Sequence, residues 1–117
     1  MSDYDNPQGR VTVSPGVLTA IAHMSARGVA GVKSVGRARS PRSAMFRGRA
    51  ESGVSLLNQD GVITGDMFLV VRAGFNVRDV CRDVQQQVAR ALQEMAGMSV
   101  ARLDIHVEDI NYEGAEA

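Results

Sequence analysis

At 117 residues the chain is sized for one domain with one core, and its 44% hydrophobic content is ordinary for a globular protein. Its 13 Lys and Arg against 13 Asp and Glu leave no formal net charge, which disfavours wholesale nucleic-acid binding. The single Cys81 excludes an intramolecular disulfide, and the N-terminus has neither the basic nor the apolar region of a signal peptide. No apolar run approaches the roughly 18 residues of a membrane span, so membrane association has to run through a partner or a surface.

Residues 1–9 are polar, with Pro7 and Gly9, and read as a disordered tail. Residues 10–13 predict a short strand. Ser14 predicts an N-cap with Pro15 at the first helical position, and the helix runs to about Arg27. Val17, Leu18, Ile21, Ala22 and Met24 give that helix an apolar face. Gly28 and Gly31 bracket its exit, and residues 32–36 begin a second strand. Residues 36–50 are rich in Arg, Ser and Gly without periodicity and read as an exposed loop. Residues 51–58 and 62–72 predict two strands joined around Asn58-Gln59-Asp60-Gly61, because Asp-Gly between apolar runs is a hairpin signal. The run Met67-Phe68-Leu69-Val70-Val71 predicts a central strand covered at least in part on both faces.

Asn76 predicts the cap of a second, longer helix, with Asp79 at its third position. Val77, Val80, Cys81, Val84, Val88, Ala91, Leu92 and Met95 recur at three- and four-residue steps and mark its buried stripe. Gly97 stops it. Residues 99–108 then alternate, with Ala101, Leu103, Ile105 and Val107 facing in and Arg102, Asp104, His106 and Glu108 facing out. Residues 111–117 read as an acidic tail. The order β-α-β-β-β-α-β predicts an α+β two-layer sandwich, two helices packed on one face of a mixed sheet.

Several of these segments match a known family in order and spacing. Gly9-Arg10-Val11-Thr12-Val13-Ser14 ahead of a helix resembles the opening of the alkaline shock protein family, also called the Gls-type envelope stress response family. Gly28-Val29-Ala30-Gly31-Val32 resembles its x-V-P-G-V turn, with Ala30 where Pro is usual. Gly53-Val54 through Val71 resembles its central hairpin. Gly74-Phe75-Asn76-Val77, Val84-Gln85 and Met95-Ala96-Gly97-Met98 resemble its long helix and exit. The resemblance covers residues 9–110 and departs from the family in a more basic 36–50 loop. It implies one alkaline-shock-protein-like domain over residues 10–110 and a small cytoplasmic bacterial protein linked to envelope stress and alkaline tolerance. Family members have no recognised catalytic residues, and some are held at the membrane by a small anchor protein.

The side chains able to carry chemistry are few. His106 shares a strand face with Asp104 and Glu108, which is compatible with a carboxylate–His cluster or a weak metal site and reads first as a solvated sheet face. His23 reads as a helix-surface residue. Cys81 lies on the apolar stripe and reads as a small buried hydrophobe, because a reactive thiol needs exposure and a nearby cation. Gly28-Val29-Ala30-Gly31 fits the bare GxxG of a KH domain, but that loop joins two helices, and here a helix C-cap turn is expected. Gln85, Gln86 and Gln87 suit a polar contact surface.

Charge is the more informative signal. Six basic residues and no acid lie between Lys33 and Arg49, whereas five acids and no Arg or Lys follow from Asp104 onward. Arg37, Arg39, Arg42, Arg47 and Arg49 form a candidate binding patch for phosphates, headgroups or carboxylates. The acidic tail of one molecule meeting the Arg loop of another would make a homo-oligomer. With no nucleophile–base pair and no metal constellation in the sequence, the expectation is a non-enzymatic, cofactor-free module acting through protein partners. The alternative is a KH-like nucleic-acid binder using Gly28–Gly31 and the Arg loop.

Overall fold

The structure is a computed structural model, which describes residues 3–6, 8–36 and 53–112. The chain runs β1 (Asp3–Asn6), β2 (Gly9–Thr12), α1 (Pro15–Arg27), β3 (Val32–Val35), β4 (Val54–Gln59), β5 (Val62–Arg72), α2 (Val77–Ala96) and β6 (Ser99–Asn111). It is the expected α+β arrangement, with both helices on one face of a mixed sheet.

The N-terminus differs from the expectation. Within the stretch read as a disordered tail, β1 pairs antiparallel with β2, Asp3 opposite Thr12 and Asn6 opposite Gly9. Gly9, one of the residues whose composition suggests disorder, opens β2 at a positive φ of 135°.

Ser14 adopts an extended conformation ahead of α1 and its carbonyl accepts from Val17 N–H at 3.0 Å. Leu18, Ile21, Ala22 and Ala26 are buried, but Val17 and Met24 are 47% and 61% exposed. Those two are seven residues apart, on a strip flanking the narrower arc that reaches α2 and the sheet. In α2 the buried row is Val80, Val84, Val88, Leu92 and Ala96, at every fourth residue. Such a row drifts by about 40° per step around a 3.6-residue helix. It therefore turns toward Ala96 and leaves Met95 64% exposed, while Val77 is exposed in the first turn. Asn76 Oδ1 accepts the Asp79 N–H at 3.0 Å, and Gly97, left-handed at φ 68°, ends the helix as expected.

Strand β5 is the centre of the sheet. Its odd residues Ile63, Met67, Leu69 and Val71 are buried against the helices, and its even residues Thr64, Asp66, Phe68 and Val70 are half-buried on the opposite face. The β4–β5 hairpin closes through Asp60 and Gly61, both at positive φ (53° and 85°), with Asn58 Oδ1 accepting the Gly61 N–H. Two positive φ values in a two-residue loop suit the twist of the flanking strands.

One edge of β5 is shared. Val32 and Val35 of β3 pair with Val71 and Leu69, and β4 pairs with residues 62–67 of β5. At the junction Phe68 N–H donates to the Gly53 carbonyl and the Phe68 carbonyl accepts from Gly36 N–H, both at 2.8 Å. β3 and β4 thus behave as one strand that the chain leaves at Gly36 and rejoins at Gly53. On the other edge β6 runs parallel to β5 from Ser99 opposite Val62 to Asn111 opposite Arg72. β6 extends three residues beyond the alternation seen in the sequence, so Asn111 belongs to the sheet and not to an acidic tail. Val100 pairs with Ile63 and Arg102 with Thr64, so Ala101 is skipped in a bulge and is exposed, contrary to its expected inward position.

Candidate functional site

The helices cover one face of the sheet, and among the described residues no element covers the other. On that open face the parallel pairs Thr64–Arg102, Asp66–Asp104 and Phe68–His106 stack polar and aromatic side chains in rows across β5 and β6. The Phe68 and His106 rings stack with centroids 4.8 Å apart at 20°. His106 Nε2 lies 2.9 Å from Asp66 Oδ1, with the two side chains 45% and 41% exposed. Arg102 pairs with Asp104. Exposed Leu57 and Ser55 extend the face onto β4, and a shallow depression of about 450 Å³ is lined by Ser55, Leu57, Thr64, Asp66 and Arg102.

The expected partners of His106 were Asp104 and Glu108, on its own strand. The structure instead brings Asp66 to it, forty residues earlier, because parallel β5–β6 pairing aligns the two strands. Asp66 was missed; an acid inside the otherwise apolar β5 run was its sole signal. The pair is a surface contact, and among the described residues no group of three or more His, Cys, Asp or Glu is placed to hold a metal ion.

The other candidates are dispersed. His23 is half-buried on α1. Cys81 is half-buried on α2, and burial pushes its thiol pKa up, which disfavours the nucleophilic thiolate. Gly28 to Gly31 joins α1 to a strand, with Val29 buried and Gly31 packed against Val80 and Phe75, so its geometry is that of a helix exit and not of the two-helix KH clamp. The glutamines divide their roles: Gln85 Nε2 donates to the Leu103 carbonyl at 2.9 Å, tying α2 to β6, while Gln86 and Gln87 are exposed. Arg37, Arg39, Arg42, Arg47 and Arg49 lie outside the described residues.

Against known proteins, residues 3–112 match the alkaline shock protein family, described as having a cell envelope-related function. The chain belongs to the alkaline shock protein family. This is the family whose motifs the sequence resembles. An uncharacterized Streptococcus pyogenes protein, Spy1535, is 30% identical over 103 residues, covering 87% of this chain and 79% of its own length. The uncharacterized Bacillus subtilis protein YqhY is 29% identical over 117 residues, covering 97% and 85%. Among solved structures the MamM CTD is similar, with a TM-score of 0.58 at 16% identity over 82% of this chain and 99% of that one. Copper, nickel and cadmium forms of MamM CTD variants are among these likenesses, but at 15% to 18% identity they show the shared fold alone. No helix among the described residues is long and apolar enough to cross a membrane.

Proposed function

We propose that this alkaline shock family chain is a non-enzymatic module that serves the cell envelope through protein–protein contacts. The observation that supports this most is the open sheet face, where half-buried Phe68 and exposed Leu57 sit among Asp66, Asp104, Arg102 and His106 with no third layer among the described residues. An apolar centre rimmed by charge is the composition of a contact surface. The second surface is the basic segment bearing Arg37, Arg39, Arg42, Arg47 and Arg49; of its flanking residues, Gly36 and Gly53 bond to the Phe68 backbone. Its partner is an acidic protein surface, in keeping with attachment of a cytoplasmic protein to the membrane through a small anchor protein.

The test changes all five arginines to Ser in the full chain and measures partner co-purification from membranes and binding to anionic vesicles. Loss of co-purification at low salt, with vesicle binding absent throughout, is the expected result. Exposed ion pairs contribute roughly 0–1 kcal/mol each, so several act together and the contact fades as the Debye length falls from about 10 Å at 0.1 M salt to about 3 Å at 1 M. Unchanged co-purification overturns the role of the arginines, and vesicle binding by the wild type that the change abolishes replaces the protein partner with lipid.

A further inference from the structure

The outer edge of β6 carries a pattern that the open face does not explain. Among the described residues β6 pairs with β5 alone, so its far edge is a 13-residue row of backbone groups with no strand beside it. Which groups point outward follows from the ladder. Phe68 turns its N–H and carbonyl to Gly53 and Gly36, so the alternate residues Gly65, Met67 and Leu69 turn theirs to β6. In a parallel ladder such a residue bonds the two neighbours of its opposite number. The opposite numbers here are Leu103, Ile105 and Val107, so these three present their own N–H and carbonyl groups to the outside. The Gln85 side chain, which reaches the Leu103 carbonyl from α2, is a direct sign of that orientation.

Ile105 is the midpoint of Ser99–Asn111. Reflecting β6 onto itself about Ile105, as a two-fold axis normal to the sheet would, sets Leu103 opposite Val107 and Ile105 opposite Ile105. These are the residues whose backbone groups point outward, so they form the hydrogen-bonded pairs of an antiparallel ladder, the Leu103 carbonyl accepting from the partner through the lone pair that Gln85 does not use. Their side chains line the helix-side face, where Leu103 is buried and Ile105 and Val107 are half-buried. On the other face the same reflection sets Arg102 opposite Glu108 and Asp104 opposite His106. Both are attractive pairs, and each occurs twice.

We propose that the partner of the β6 edge is a second copy of this chain, joined antiparallel about Ile105 to make one continuous sheet through two molecules. Charge and the two bulges of β6 select the register. Moving the axis to Asp104 opposes the two Asp104 carboxylates and sets Arg102 against His106. Moving it to His106 opposes Asp104 and Glu108. Axes at Leu103 or Val107 also oppose unlike side chains, Arg102 with Asp104 or His106 with Glu108, but they carry the ladder into the bulge at Ala101 or Glu108, so charge and bulges together leave Ile105. The bulges at Ala101 and Glu108 bracket the regular run, so residues 103–107 carry the ladder and Arg102–Glu108 closes each end. The pairing uses none of the five arginines of residues 37–49, so it stands or falls separately from the arginine surface above.

The test uses the full chain in sedimentation velocity, with Arg102→Glu and Glu108→Arg as variants. Each variant opposes like charges at two symmetry-related positions, and each self-association constant falls by about tenfold or more. Mixing the two variants restores every Arg–Glu pair, so the mixture dimerises like the wild type, as does the double variant R102E/E108R. In the wild type, the amide of Ile105 exchanges more slowly as protein concentration rises, a readout independent of whether any variant folds. A wild type that stays monomeric into the high-micromolar range, a mixture as weak as its components, or an Ile105 amide whose exchange ignores concentration overturns the proposal.

Discussion

Leu92 sits fully buried in the α2 row, while Met95, three residues on, is 64% exposed. Leu92→Ala therefore costs about 2–5 kcal/mol in denaturant melts, the range for a buried leucine that leaves a cavity. Met95→Ala stays within about 0.5 kcal/mol. Equal losses at the two positions would mean that the helix is rotated from the orientation described. Cys81 offers a second check at this scale. Burial raises its thiol pKa, so the folded chain holds that proton to higher pH than the unfolded chain does. The thiol's contribution to stability is therefore whole below the unfolded pKa and declines as pH rises through it toward the folded value. Ultraviolet titration of thiolate absorbance gives a higher midpoint in the folded protein, and Cys81→Ser removes this part of the alkaline decline. A folded midpoint below the ordinary thiol value would instead reveal an activating cation.

At the scale of elements, the junction of β3 and β4 makes a sharp demand on sequence, combining a close backbone approach with a positive φ. A Cβ on Gly53 would lie 2.4 Å from the Gly36 Cα, at a φ of 80°, whereas a Cβ on Gly74, at φ 94°, meets nothing within 4 Å. Both Gly→Ala changes incur a backbone cost of about 1–3 kcal/mol, and Gly53→Ala adds the clash. Thermal melts place Gly53→Ala well below Gly74→Ala; coincident melts would show that the two strand ends do not approach. The helices, the Asp60-Gly61 hairpin and the β-rich order were legible because caps, turn residues and periodicity are local signals. What escaped the sequence was set at a distance. Met24 and Met95 are apolar residues on the wrong side of helices whose buried arcs depend on what they face. Ala101 turns outward because a bulge fixed by the β5 partner shifts the alternation. Asp66 meets His106 through a parallel register that no local pattern encodes, and the β1–β2 pairing sits in a stretch whose polarity reads as tail.

At the scale of the molecule, a neutral chain separates its charge, with bases concentrated between Lys33 and Arg49 and acids from Asp104 onward. That separation, the open sheet face and the edge of β6 are the surfaces proposed for contact, and the ionisable groups of the described residues are spread over the molecule instead of converging. The most direct measurement is rescue of a deletion strain under alkaline or cell-wall stress by chains altered on the open face. Phe68→Ser with His106→Ala removes the ring stack and the contact to Asp66 while leaving the helix-side core intact, and circular dichroism establishes that the variant is folded. The account predicts that this folded variant fails to rescue, whereas Cys81→Ala and His23→Ala rescue as well as the wild type. Full rescue by the open-face variant, or loss of rescue by a folded Cys81→Ala or His23→Ala protein, would contradict it.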